Sequence, residues 1–158
     1  MGKERTFVLI DTNVFVIDLR YKNDSHYRAN RKFLDLVSET RAGFTTVINL
    51  LEICGILSFN LSERQLQELW FYFPERYKVT VLPGTGLDDA LPSVRVRDVF
   101  HLIKERMSFG DAYILAMALK SLPSLSMVVT WDKHHFQGKL TGRVLTPTEY
   151  LSLSKNDR

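Results

Sequence analysis

The stretch Thr6-Phe7-Val8-Leu9-Ile10-Asp11-Thr12-Asn13 decides the fold of this chain. Its first five residues carry strand chemistry and no charge, and they run directly into an acid followed by two residue types that favour helix starts. A short, continuous apolar run of this kind fits a strand covered on both faces better than one with a wet side. A capping segment straight after it predicts a helix beginning near Asn13.

Working outward, strand-like and helix-like segments alternate to the end. Residues 26–39 read as an amphipathic helix, Phe44-Thr45 as a short strand, and roughly 46–59 as a mostly buried helix. Ser62-Glu63-Arg64-Gln65 resembles a capping box that opens a helix to about Phe73, where Pro74 is expected to stop it. Lys78–Leu82 reads as a strand closed by Pro83-Gly84, followed by a helix over about 87–106. After a break at Ser108-Phe109-Gly110, a helix is expected from Asp111 to about Ser121, then strands at Met127–Thr130 and Arg143–Leu145. Thr146-Pro147-Thr148-Glu149 opens a last short helix. Such alternation predicts an α/β fold: a mainly parallel, Rossmann-like sheet of four or five strands flanked by helices, with all 158 residues in a single domain. In sheets of this type, sites form beyond the carboxyl ends of the strands.

Four acids stand alone in apolar or neutral surroundings. Asp11 is the only charge between Arg5 and Asp18, Glu52 the only one between Arg41 and Glu63, and Asp111 the only one between Arg106 and Lys120. Asp132 ends the run Met127-Val128-Val129-Thr130-Trp131. Three have local explanations: Asp11 and Asp111 can cap helices, and Asp132 can form an Asx turn. Glu52 has none, because it is mid-helix and Ile48, Asn49, Gly55 and Ile56 surround it at helical spacing. Desolvating lone carboxylates is costly, so a shared cation explains all four together. Oxygen-only donors suit Mg²⁺ or Mn²⁺, and four carboxylates can balance up to two such ions. Thr12, Asn13 and Thr130 are placed to orient ligands or water around them.

Composition agrees with a globular protein at 45% hydrophobic and 25% charged residues. The 21 basic against 18 acidic residues leave +3, and gathering four acids in one pocket makes the remaining surface more basic, which fits a polyanionic partner. The one cysteine, Cys54, excludes an internal disulfide and suggests a reducing compartment. Met1-Gly2-Lys3-Glu4-Arg5 reads as a polar lead-in rather than a signal sequence, and no apolar stretch reaches membrane-spanning length, so a cytoplasmic protein is expected.

The chain resembles PIN-domain ribonucleases, most closely the VapC-type toxins of toxin–antitoxin pairs. The matching pieces are Val8-Leu9-Ile10-Asp11-Thr12-Asn13, Asn49-Leu50-Leu51-Glu52, Gly110-Asp111-Ala112-Tyr113, Val129-Thr130-Trp131-Asp132 and Val144-Leu145-Thr146-Pro147. This ordered set spans nearly the whole chain, to about Leu151. The resemblance implies a PIN-like parallel sheet and a divalent-metal-dependent endoribonuclease. It assigns the acid site to Asp11, Glu52 and Asp111, with Asp132 at the acidic position that varies most in the family. It also implies an RNA substrate, a small antitoxin protein as partner and a homodimer. Trp131 departs from the pattern, since small or polar residues are more usual there.

Other candidates carry less. Lys133, His134, Arg20 and Lys22 are candidates for contact with an RNA backbone, although solvated surface side chains are the ordinary outcome for such residues. His134-His135 lacks a third ligand at metal spacing. Trp70-Phe71-Tyr72-Phe73 fits either core or a partner surface. Gly84 and Gly86 lack the Gly-Lys-Ser/Thr signature of a phosphate loop. A receiver or phosphatase domain needs an acidic pair at the first strand, where Asp11 is followed by Thr12 and Asn13. An RNA maturation or decay nuclease without an antitoxin, and a catalytically silent PIN fold that binds RNA or protein, are the alternatives that stay open.

Overall fold

A computed structural model describes residues 6–156 of the chain; the polar lead-in Met1–Arg5 lies outside the described residues. The strands are β1 (Val8–Ile10), β2 (Gly43–Thr46), β3 (Thr80–Leu82), β4 (Met127–Val129) and β5 (Arg143–Leu145). The helices are α1 (Thr12–Arg20), α2 (Tyr27–Thr40), α3 (Val47–Leu57), α4 (Glu63–Tyr77), α5 (Val96–Lys104), α6 (Phe109–Ser121) and α7 (Pro147–Asn156). The expected α/β class is therefore present, as a five-stranded sheet in the order β3-β2-β1-β4-β5 with every pairing parallel.

The strands are short, β1 and β2 are buried throughout while β3 and β5 each expose one end, and alternate side chains feed two cores. In β1, Val8 and Ile10 join the core built with α1, α2, α3, α4 and α7, whereas Leu9 joins the one built with α5 and α6. Val129 and Val128 of β4 divide in the same way. This two-sided burial is why the strands read as continuous apolar runs. Gly43 lets α2 close onto the sheet, because a Cβ there would lie 2.4 Å from Val37 Cγ1. Among the described residues, no helix is long and apolar enough to cross a membrane.

Three boundaries differ from expectation. Pro74 lies inside α4, which runs on to Tyr77. A proline in a helix interior removes a hydrogen bond and costs about 3 kcal/mol. Beyond it, however, Tyr77 is buried against the rings of Phe15 and Phe73 and donates a 2.8 Å hydrogen bond to Asp18. Those tertiary contacts hold the last turn in place. The helix expected over 87–106 begins only at Val96, with no helix over 83–95. Further on, α6 starts at Phe109 because Ser108 caps it, accepting from the Asp111 backbone N–H, so Asp111 sits in the first turn rather than at the start.

The aromatic run on α4 splits: Trp70 and Phe73 are core, whereas Phe71 and Tyr72 are exposed. A buried acid outside the lone-acid set also emerges. Asp18 accepts from Arg31 and from the Tyr77 hydroxyl, joining α1, α2 and α4.

Candidate active site

The strand order reverses beside β1: β2 and β3 lie to one side and β4 and β5 to the other. This switch point, beyond the carboxyl ends of β1 and β4, is where open α/β sheets place ligands. Leu9 pairs with Val128 and Ile10 with Val129, so the next residues, Asp11 and Thr130, emerge side by side.

Asp11 caps α1 and is only 7% exposed. Its Oδ1 accepts from the Thr12 N–H at 2.8 Å and its Oδ2 from the Thr130 hydroxyl at 2.7 Å. Burial pushes the carboxyl up from 3.8 to about 6; the charges of Asp111 and Glu52 raise it further, against the lowering hydrogen bonds from Thr130 and Thr12. Asp11, ahead of α1, thus lies within reach of the charges of Glu52 on α3 and Asp111 on α6, although 41 and 59 residues separate the three in turn.

The other groups interlock through short contacts. The Thr12 hydroxyl donates to Glu52 Oε2 and accepts from Asn49 Nδ2. Asn49 is fully buried, and its polar atoms are satisfied because it also completes the capping box of α3 with Thr46. The Thr130 hydroxyl accepts from Asn13 Nδ2 and from the Asp132 N–H, both at 3.0 Å, so Thr12 and Thr130 contact acids directly and Asn13 reaches Asp11 only through Thr130. His135 closes the circuit: its Nδ1 lies 2.9 Å from Asp111 Oδ2 and its Nε2 lies 3.1 Å from Asp132 Oδ2. The linkage therefore runs Glu52, Thr12, Asp11, Thr130, Asp132, His135, Asp111.

Two premises of the sequence reading change. Glu52 is exposed at the rim rather than buried, and its partner is a threonine from another helix. Its lack of a basic neighbour therefore follows partly from solvation. Asp132 has a side chain 47% exposed, against 16% for Asp111, and so stands further out than Asp111. His135 and Asn49 are the residues sequence reasoning missed. Three-residue spacing, Thr46 to Asn49 and Asp132 to His135, was the available signal. It was obscured for His135 because residues 133–135 form a single 3-10 turn instead of continuing a strand.

The candidates for RNA contact are scattered. Lys133 is held by Glu149 at 2.9 Å, and Arg20 and Lys22 line a separate cleft with Tyr21 and Asn23. His134 is exposed on the 3-10 turn. Trp131, the departure from the family pattern, donates to Asn30 Oδ1 at 2.8 Å and stacks on His26, tying α2 to the site loop. Burial raises the Cys54 thiol above its ordinary value, which suits an unreactive core-edge residue.

The donor set fits a hard divalent cation: it offers carboxylate and hydroxyl oxygens with no thiolate, and Asp11 is raised in part by repulsion that a cation would relieve. Among the described residues, no three His, Cys, Asp or Glu side chains already stand as a closed ligand group. Comparison with protein-family models yields no match, and comparison with curated proteins yields no significant one.

Proposed function

We propose that the chain is a divalent-metal-dependent endoribonuclease of PIN type, acting as the toxin of a toxin–antitoxin pair. The observation that carries this reading is the buried Asp11, raised to about 6 with contributions from Asp111 and Glu52 at the switch point of a parallel sheet. Acids from other elements that add to the burial of Asp11 in disfavouring its charged form are what a cation site imposes on a metal-free protein.

Asp11, Glu52 and Asp111 would hold Mg²⁺ or Mn²⁺, up to two ions, with Asp132 at the outer edge. Such an ion, when bound, supplies an activated water and charge stabilisation for in-line phosphodiester hydrolysis. The chain's own groups prepare the site. Thr12 aims Glu52, the Thr12 N–H and the Thr130 hydroxyl hold both oxygens of Asp11, and Ser108 donates to Asp111 Oδ2 at 2.8 Å. Each acid is thereby oriented before a ligand arrives, which limits the rearrangement that binding requires. RNA as substrate, a small antitoxin, a homodimer and a cytoplasmic setting belong to the same reading, supported by the ordered motifs of the sequence and the basic balance of the chain.

The test is cleavage of single-stranded and looped RNAs with Mn²⁺, Mg²⁺ or EDTA, using the wild type, Asp11→Asn and Asp111→Asn. Metal-dependent cleavage lost in both variants, with unchanged circular dichroism, is the expected result. Full activity in either variant refutes the site. One observation favours a second reading, a catalytically silent fold that binds RNA: His135 already satisfies Asp111 and Asp132. RNA binding without cleavage under any divalent condition would select that reading. A small open reading frame directly upstream separates a toxin from an RNA maturation or decay enzyme.

A further inference from the structure

Helix α5 carries two stripes at helical spacing. Val96, Phe100 and Ile103 form an exposed apolar stripe, and Arg97, His101 and Lys104 form a basic one beside it. Between the basic stripe and α6 runs a groove of about 970 Å³ whose far wall adds Lys120 and Lys139. The floor comes from Leu102, Ala116 and Leu119, so cationic groups sit above an apolar bed.

The charge in this groove is nearly all of one sign. Its one acid, Asp98, is taken up by Arg95 through contacts of 2.9 and 3.2 Å. Among the described residues, no carboxylate pairs with Arg97, Lys104, Lys120 or Lys139. Cations gathered without counter-charges, in a chain whose basic and acidic residues differ by only three, make a local field suited to a polyanion. The edge of the groove adds a second feature. Phe100 is 58% exposed, and Lys104 Nζ lies 5.7 Å from its ring centre. An exposed aromatic ring beside a cation offers a stacking surface in addition to charge. A base followed by a phosphate uses both, through stacking and charge.

We infer that the α5–α6 groove binds the backbone of a single-stranded nucleic acid, with a base stacked on Phe100. Arg97, Lys104 and Lys139 meet successive phosphates, and the apolar bed receives the sugar edges. The groove is separate from the acids but shares two elements with them. Helix α6 carries Asp111 in its first turn and Leu119 in the groove, about 12 Å apart along the helix axis. Lys139 follows the turn that holds His135, its N–H donating to the Phe136 carbonyl. A strand lying in the groove is therefore tethered beside the site whether or not the acids cleave it.

The experiment is fluorescence anisotropy with the full chain in EDTA, so that no divalent chemistry contributes. Labelled oligouridylate and oligothymidylate serve as probes over a series of salt concentrations. Each phosphate contact on a single strand contributes about 0.7 to the salt slope, or roughly fivefold in affinity at 0.1 M salt. The triple variant Arg97→Gln/Lys104→Gln/Lys139→Gln is expected to lose about a hundredfold in affinity and about 2 from the slope. Phe100→Ala is expected to lose at least fivefold with the slope unchanged. Lys32→Gln/Arg64→Gln/Lys155→Gln, on exposed faces elsewhere, removes the same three charges and should keep the slope within about 0.5 of the wild type. All substituted positions lie on the surface or at its edge, and circular dichroism verifies folding.

Stronger binding of oligouridylate than oligothymidylate marks the partner as RNA, and equal binding marks any single strand; either supports the inference. Unchanged affinity and slope in the triple variant overturn it. So does groove-dependent binding of polyglutamate without nucleic-acid binding, which would assign the surface to an acidic protein segment. Anisotropy in EDTA needs no cleavage, and the cleavage test needs the acids rather than the groove cations, so failure of the nuclease reading and failure of this one are distinguishable.

Discussion

Replacing Asp11 by Asn should make the metal-free protein more stable at neutral pH while destroying its site. The Asp11 carboxyl is held near 6 against an ordinary 3.8, mainly by burial. Holding the group near 6 rather than 3.8 withholds about 3 kcal/mol of folding stability once it is ionised. Because the folded value is raised, the stabilising contribution of the protonated form is complete below pH 4. It is lost as pH rises through about 6. Asparagine removes that penalty but gives up one hydrogen bond. The Thr130 hydroxyl already accepts from Asn13 and Asp132, so it can serve the new amide only as a donor to its oxygen, leaving the Thr12 N–H facing the NH₂ group. That loss costs about 1 kcal/mol, so the net gain is about 2 kcal/mol.

For a chain of this length the gain is about 4–8 °C in melting temperature. Thermal unfolding followed by circular dichroism, in EDTA at pH 7.5 and pH 4.0, measures it directly. Asp11→Asn should melt higher at pH 7.5, and the advantage should vanish at pH 4.0. Saturating Mn²⁺ or Mg²⁺ should then raise the wild type by about 3 kcal/mol at a hundred times its dissociation constant and leave the variant unmoved. A variant melting at or below the wild type at pH 7.5 in EDTA would refute the account of Asp11 as an ionised, desolvated group.

Two further outcomes test the framework around the site. Thr130→Val removes a hydroxyl that serves Asp11, Asn13 and the Asp132 N–H at once, so it should cost about 2–3 kcal/mol by urea unfolding, with the stability loss above pH 6 steeper than in the wild type; a change under 0.5 kcal/mol would show that water replaces the hydroxyl freely. Asp18→Ala leaves Arg31 and Tyr77 without their buried acceptor and should cost about 3–5 kcal/mol, against about 1–2 for Tyr77→Phe. Similar losses in the two variants would mean that the Arg31 contact contributes little.

Much of the fold was legible because burial leaves a trace in residue type. Runs such as Val8-Leu9-Ile10 and Met127-Val128-Val129 tolerate no charge on either face, and Thr46, Ser62 and Thr146 mark helix starts through chemistry confined to three residues. Pro74 misled because its local cost is real, yet Tyr77 lies a turn further on in contacts with Phe15 and Asp18 that no local pattern records. Glu52 misled in the opposite sense. An apolar neighbourhood in sequence suggested burial, but on a helix the neighbours in sequence face other directions, and Glu52 faces water.

The sequence by itself determined that strands would be parallel and two-sided and that Asp11 and Asp132 would stand at strand ends. These follow from each segment's own side chains and from the order in which strands and helices alternate. The tertiary structure alone decided that β4 lies against β1, and hence that Thr130 meets Asp11 across 119 residues and that His135 joins Asp111 to Asp132. Strand order depends on which distant segments bury each other, and hydrophobic pattern fixes a segment's faces without naming its neighbours.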